Sequence, residues 1–135
     1  MRVVAVILQA ALWLWFLGCV TTYRFGKILL VEGMGVRSAE FAALCLYSAG
    51  LVAYHCFPAG RWVLPGILLL WFAVQFLCHW RYTLFGASPE KISGYNECFQ
   101  GTLRLFPESE TRLVPDFYHI ALHILILANL ALCAA

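Results

Sequence analysis

The chain has 135 residues, of which 63% are hydrophobic and only 12% are charged. A soluble domain is usually about 45–50% apolar and about 25% charged, and one this small could not bury so much apolar surface. A mean hydropathy of +0.82 therefore predicts a single-domain integral membrane protein. The net charge is +2 and no two Lys or Arg residues are adjacent, so no nucleic-acid-binding surface is expected.

Four apolar stretches approach the roughly 20 residues that a helix needs to cross the hydrocarbon layer. We expect an all-α fold in which these stretches form a four-helix transmembrane bundle. The predicted spans are about 3–23, 39–57, 62–82 and 117–133. Arg2 and the apolar run after it also resemble a secretory signal, with a loose lipoprotein box ending at Cys19. The run continues to about Tyr23, which is long for a signal, so we interpret it as a span.

The segment between the third and fourth spans predicts an amphipathic helix at about 89–106. Ser88, Pro89 and Glu90 have the residue types of a helix start: a cap, a proline in the first turn and an early acid. The residues that form one apolar stripe after it are Ile92, Tyr95, Phe99, Leu103 and Phe106. A helix with such a stripe is expected to lie on the membrane surface.

The distribution of Lys and Arg predicts the orientation of the four spans. Arg2 and Arg61 fall on one side of the membrane, and the other seven Lys and Arg residues fall on the opposite side. Because positive residues concentrate in cytoplasmic loops, both termini are predicted to be non-cytoplasmic. The 24–37 segment and the amphipathic helix are then cytoplasmic, and the former is expected to run along the membrane surface.

Polar side chains inside the predicted spans are the candidates for function, because each is costly in lipid unless it is paired. Asp116, His119 and His123 have the spacing D-x-x-H-x-x-x-H and share roughly 60° of one helix face. They are candidate catalytic residues for acid–base chemistry or proton relay, and candidate ligands of a divalent metal or a haem. If the last two helices are antiparallel neighbours, His79 can face His119 and Gln75 can face His123.

The remaining candidate site residues are predicted to bind a ligand at the cytoplasmic ends of the helices. These candidates are His79, Gln75, Glu40, Arg104 and Arg112. The two arginines are also placed to hold the loop against anionic lipid headgroups. A purely structural interpretation stays open, in which the histidines hydrogen-bond between helices. The same interpretation is favoured for Gln9 and Asn129, which lie at the other end.

No CxxC motif is present among the six cysteines, so no zinc ribbon or thioredoxin-type site is indicated. Cys56 and Cys133 fall on the predicted outer side, where a disulfide between them is an open alternative. Cys19, Cys78 and Cys98 fall on the reducing side and are expected to be free thiols.

Taken together, these features favour a small multi-pass protein of the cell membrane with a cytoplasm-facing His/Asp pocket. The pocket would bind a metal, a cofactor, a lipid headgroup or a partner subunit. The alternatives are a membrane-embedded enzyme acting on a lipid or isoprenoid, an accessory subunit without chemistry, and an oligomeric proton-coupled carrier. Assembly into a homo-oligomer or a larger membrane complex is left open.

Overall fold

The computed structural model describes residues 2–18, 21–31 and 38–134, and most of them are helical, as expected for an all-α chain. The helices are α1 Arg2–Leu17, α2 Ser38–Cys56, α3 Gly60–Gln75, α4 Arg81–Phe85, α5 Pro89–Cys98 and α6 Phe117–Ala134. A π-helical segment, Phe76–Trp80, joins α3 to α4, so the chain is helical from Gly60 to Phe85. Single π-helical turns occur frequently at functional sites.

Within the part of the chain that the structure describes, two helices are long and apolar enough to cross a membrane, Ala39–Cys56 and Gly60–Phe85. The predicted first and fourth spans correspond to shorter apolar helices, Arg2–Leu17 and Phe117–Cys133. At 1.5 Å per residue, the 16 residues of α1 cover about 24 Å, which is less than the hydrocarbon thickness of about 30 Å. The structure thus gives two candidate spans, and the crossing of the membrane by α1 and α6 remains a prediction.

A β-hairpin follows α1, where only a loop along the membrane surface was expected. Strands β1 (Tyr23–Phe25) and β2 (Ile28–Val31) pair antiparallel. The turn between them contains Gly26, whose φ of 60° is a conformation that glycine adopts without steric cost. Cys19 and residues 32–37 lie outside the described residues, so the predictions for them are untested.

The hairpin is joined by backbone hydrogen bonds to the segment that precedes α6. Leu29 of β2 forms a parallel bridge with Thr102. The Leu103 N–H donates to the Leu29 carbonyl over 2.9 Å, and the Phe117 N–H donates to the Leu103 carbonyl over 2.8 Å. These bonds fix Thr102 close to the start of α6, at the end of the bundle that carries α5. We call this the α5 end.

Close backbone contact holds α2 against α3. A Cβ on Gly60 would lie 1.8 Å from the Ala53 carbonyl oxygen, and one on Gly50 would lie 2.7 Å from Cδ1 of Ile67. Small residues at such crossings let helix backbones approach, which is a common way of packing helices in membranes.

An aromatic pair joins α1 to α6. The Trp15 and Tyr118 rings stack with centroids 5.4 Å apart. The Trp15 indole N–H donates to the Tyr118 carbonyl over 3.1 Å, and the Tyr118 hydroxyl donates to the Trp15 carbonyl over 3.0 Å. The pair therefore fixes the register of the two helices at the α5 end, next to the candidate site.

The boundaries of α5 and α6 differ in part from the predicted ones. The start of α5 is confirmed, since Ser88 Oγ accepts a hydrogen bond from the Lys91 N–H. The predicted end of α5 is wrong, because the helix stops at Cys98 rather than near residue 106. After it, Gly101, with a φ of 79°, turns the chain back. The helix α6 begins at Phe117, and Asp116 caps it by accepting the His119 backbone N–H.

Candidate functional site

A cavity of about 560 Å³ lies at the α5 end between α2, the Gly60–Phe85 helical run, α5 and α6. Its apolar part is lined by side chains such as Phe16, Trp71 and Leu122. Its polar part includes Glu40, Gln75, His79 and His119, with Glu90 and Lys91 from α5 at the rim. One wall is therefore suited to a hydrocarbon chain and the other to a polar group.

An Asp–His pair forms the best ordered part of the polar wall. Nδ1 of His119 donates to Oδ1 of Asp116 over 2.7 Å, and the same oxygen accepts the His119 backbone N–H over 3.0 Å. The carboxylate thus caps α6 and orients the imidazole at once. With its proton held on Nδ1, a neutral His119 keeps the lone pair of Nε2 available for accepting a proton.

Asp116 is fully buried, with 0% of its surface exposed, and several groups satisfy it. The Thr102 hydroxyl has both Oδ2 of Asp116, at 3.2 Å, and the Phe99 carbonyl oxygen, at 2.8 Å, as acceptors of its single proton. The Asp116 backbone N–H donates to the Tyr95 hydroxyl over 3.2 Å, and that hydroxyl lies 3.4 Å from Nδ1 of His119. Burial, followed by the nearby Asp116 charge, raises the pKa of the Tyr95 phenol above its ordinary range, so it stays protonated.

His79 comes from the π-helical segment and meets His119 as predicted. The centroids of the two imidazole rings lie 4.4 Å apart, and His123 is farther from His79, at 5.9 Å. Over residues 2–18, 21–31 and 38–134, two buried side-chain atoms lack a hydrogen-bond partner: Nδ1 of His79 and Oε2 of Glu40. Both residues line the cavity. Unpaired buried polar atoms are costly, and here they mark where a ligand would be stabilised.

His123 has a different environment, because both of its ring nitrogens are engaged. The Trp80 indole N–H donates to Nδ1 over 2.9 Å, so Nε2 carries the proton and donates to Oε1 of Gln75 over 3.3 Å. The predicted Gln75–His123 pair is thus present. The side chain is buried at 2% exposure and is not among the residues that line the cavity. These contacts fit an interhelical hydrogen-bonding role.

The predicted metal site is not confirmed. Within the part of the chain that the structure describes, no group of three His, Cys, Asp or Glu side chains is arranged to hold a metal ion. Of the three predicted ligands, Asp116 is committed to His119 and Thr102, and His123 to Trp80 and Gln75.

The two predicted ligand-binding arginines lie outside this cavity. Nη1 of Arg104 donates to Oδ1 of Asn96 over 3.0 Å and lies 3.3 Å from a carboxylate oxygen of Glu108. Its guanidinium stands 6.0 Å from the centre of the Tyr95 ring, so it supports the outer side of α5. Arg112 is exposed and lines a separate surface cavity between α4 and the loop before α6. Gln75, His79 and Glu40 are the predicted ligand residues that do line the main cavity.

The opposite end of the bundle holds the separate interhelical hydrogen bonds that the sequence favoured. Nδ2 of Asn129 donates to the Leu8 carbonyl over 3.1 Å. Oε1 of Gln9 lies 2.7 Å from Nε2 of His55. The open disulfide alternative is not realised, since Cys56 and Cys133 are both free thiols. Cys78 and Cys98 are free, as expected.

Sequence reasoning missed three residues of the site. Tyr95 was placed on the apolar stripe of α5, although its hydroxyl is what contacts Asp116 and His119. No role was predicted for Thr102 or for Trp80. A signal existed for Trp80, because it directly follows His79 and its indole N–H needs an acceptor when buried. Thr102 could not be found without the turn that follows α5.

No protein-family model matches the chain, and neither does any curated protein or solved structure.

Proposed function

We propose that the chain is a small multi-pass membrane protein that binds a lipid in the cavity at the α5 end. The observation that carries the proposal is the composition of the cavity wall. An apolar part containing Phe16, Trp71 and Leu122 adjoins a polar part where His79 and Glu40 each have a buried atom without a partner among the described residues. An amphipathic molecule satisfies both parts, because its chain covers the apolar wall while its headgroup supplies hydrogen bonds.

Placement in a membrane is supported by where apolar side chains lie. Only 17% of the Ala39–Cys56 stretch and 11% of the apolar window within Gly60–Phe85 are buried in the protein, whereas the core helix of a soluble protein would be mostly buried. Exposed apolar residues also occur on α1 and α6, including Ile7, Leu14 and Ile124. Apolar surface of this extent needs lipid or another protein against it.

Four crossings are the topology that we propose. The shorter α1 and α6 pack against the two longer helices, and a helix shorter than the bilayer is accommodated by local thinning or by flanking polar side chains. The excess of Lys and Arg at the α5 end supports an orientation in which that end, and with it the cavity, lies in the cytoplasmic leaflet.

The test of lipid binding is native mass spectrometry of the chain purified in a mild detergent. The Ala43→Trp variant fills the cavity, since Ala43 lines it. The matched control is Ala73→Trp, which adds the same side chain at an exposed position of α3 outside the cavity. We expect a tightly held lipid on the wild type and on Ala73→Trp, and its loss from Ala43→Trp. Equal lipid retention by all three forms, or none by the wild type, would contradict the proposal.

A second candidate function is chemistry on the bound lipid, and the Asp116–His119 pair favours it. A carboxylate that orients an imidazole at the wall of a ligand cavity is a common arrangement for a general base. His119→Asn removes the basic nitrogen while keeping a polar side chain. If the chain is an enzyme, cells that express the wild type contain a lipid of altered mass, which cells with His119→Asn lack. Identical lipid extracts would leave binding as the function.

A further inference from the structure

The hydrogen-bonding groups on the polar wall of the cavity indicate which lipid headgroup the cavity fits. Oε2 of Glu40 is a carboxyl oxygen buried in the protein, and no ion pair or hydrogen bond involving the Glu40 side chain is found among the described residues. Nδ1 of His79, which lines the same cavity, also lacks a partner. A carboxylate accepts hydrogen bonds only, and a neutral imidazole nitrogen without a proton does the same. The missing partner of Glu40 is therefore a donor, and the tautomer of His79 that carries its proton on Nε2 needs a donor at Nδ1 as well.

A phosphate group is a poor fit to this wall. It would bring negative charge and acceptor oxygens to Glu40, and like charges in a buried site repel strongly. Positive charge for a phosphate is found instead at the rim, where Lys91 of α5 lines the cavity mouth. The ammonium of Lys91 stands 5.3 Å from the centre of the Tyr82 ring. Lys91 and Tyr82 both also line the neighbouring surface cavity beside α4. The wall is thus acceptor-rich inside and carries a lysine at the rim.

We propose that the cavity selects a zwitterionic lipid whose headgroup ends in a primary amine, of the phosphoethanolamine type. This inference rests on the proposed lipid binding. The ammonium donates to Oε2 of Glu40 and to Nδ1 of His79, and the phosphate lies near Lys91. A primary ammonium has three N–H donors, whereas a trimethylated choline ammonium has the same charge and none. Selection between these two headgroups therefore depends on hydrogen bonds and not on charge.

The experiment reconstitutes the whole chain with equimolar phosphatidylethanolamine, phosphatidylcholine and phosphatidylglycerol. After extraction into detergent, the retained lipid is quantified by mass spectrometry, and the lipid on Ala43→Trp is subtracted as the annular background. We expect phosphatidylethanolamine to exceed phosphatidylcholine by at least about tenfold on the wild type, which is the ratio that one hydrogen bond to a charged group supports. Phosphatidylglycerol should be the least retained.

Two variants test whether Glu40 determines the selectivity for the lipid headgroup. Glu40→Gln removes the charge and keeps the shape, and it should bring the ratio of ethanolamine to choline lipid close to one. Glu97→Gln is the matched control, because Glu97 is an exposed carboxylate of α5 that does not line the cavity. Its ratio should equal that of the wild type. Because the comparison of the two lipids on the wild type needs no variant, it decides the inference even where Glu40→Gln fails to fold.

The outcomes separate the two proposals. Retention of phosphatidylcholine and phosphatidylethanolamine in equal amounts on the wild type, above the background of Ala43→Trp, would overturn the headgroup inference and leave lipid binding standing. Preference for phosphatidylglycerol would overturn it as well. Lipid no greater than the Ala43→Trp background would overturn both.

Discussion

The indole N–H of Trp80 donates to Nδ1 of His123 over 2.9 Å, and this bond sets the proton of the imidazole on the nitrogen that faces Gln75. His123 is thereby a bridge between α6 and the helical run from Gly60 to Phe85. His119, one turn earlier on the same helix face, lines the cavity instead. Two histidines that look equivalent in the sequence therefore have different roles in the structure.

Replacing His123 should cost stability and leave lipid binding intact. His123→Phe removes the acceptor of Trp80 and the donor to Gln75, and each polar group left unpaired costs about 1–3 kcal/mol. Thermal unfolding in detergent measures the loss. His55→Phe is the control, because this histidine bonds to Gln9 at the opposite end and is exposed, so its loss should be smaller. A stable His123→Phe variant that no longer retains lipid would contradict this assignment.

Asp116 is expected to be the most sensitive acidic residue of the chain. Asp116→Ala removes the cap of α6 and the partner of His119, and each buried polar group left without a partner costs about 1–3 kcal/mol. Asp116→Asn keeps an acceptor for the cap and should recover part of this free energy of unfolding. Chemical denaturation of the purified variants measures both.

Glu90 offers the matched comparison for Asp116. It also lies in the first turn of a helix, but it is exposed, so Glu90→Ala should unfold under the same conditions as the wild type. Equal destabilisation by Glu90→Ala and Asp116→Ala would show that the buried network around Asp116 adds nothing beyond a helix cap.

The contact between α2 and α3 should tolerate no side chain at Gly60. A Cβ there meets the Ala53 carbonyl oxygen at 1.8 Å, so Gly60→Ala forces the helices apart at a cost of about 1–3 kcal/mol. Gly66→Ala on the same helix is the control, since no neighbouring atom of the described part of the chain lies within 4 Å of the added Cβ. Alanine is the better helix former, so Gly66→Ala should be neutral or raise stability by up to about 1 kcal/mol. Equal melting temperatures for the two variants would refute the close contact.

The proposed orientation can be measured with native cysteines. Cys56 ends α2 and Cys98 ends α5, and both are exposed free thiols. In intact cells, a membrane-impermeant maleimide should label Cys56 and should reach Cys98 only after the membrane is permeabilised. Labelling of Cys98 from outside, with Cys56 protected, would invert the topology and move the cavity to the outer leaflet.

The pairs at the α5 end could be predicted because helix depth follows from sequence position. His79 and Gln75 lie one turn apart near the end of one helix, and His119 and His123 lie one turn apart near the start of the next helix of the bundle. An antiparallel arrangement then brings each to its partner, as the structure has it. The separate interhelical hydrogen bond of Asn129 could be predicted in the same way, because this residue points away from the histidine face of α6.

The parts of the site that depend on non-helical backbone could not be predicted. The apolar run of β2, Ile28–Val31, looks the same in sequence whether it lies on a membrane or pairs with β1. Thr102 reaches Asp116 because α5 stops at Cys98 and the chain bonds to β2, whereas a continued helix would have carried it elsewhere. Arg104 was predicted to bind a ligand, but it lies outside the cavity and its Nη1 contacts Asn96 and Glu108.

Lipid inside the cavity can be tested most directly with photo-leucine, a diazirine analogue that replaces leucine with little change of shape. Leu122 lines the cavity and is 1% exposed, so lipid around the bundle cannot reach it; Leu12 and Leu64 are buried at 0% outside the cavity. After irradiation in membranes, peptide mapping should find lipid attached to Leu122 and none on Leu12 or Leu64. Absence of lipid from Leu122, with lipid present on exposed leucines such as Leu14, would contradict a lipid-binding cavity.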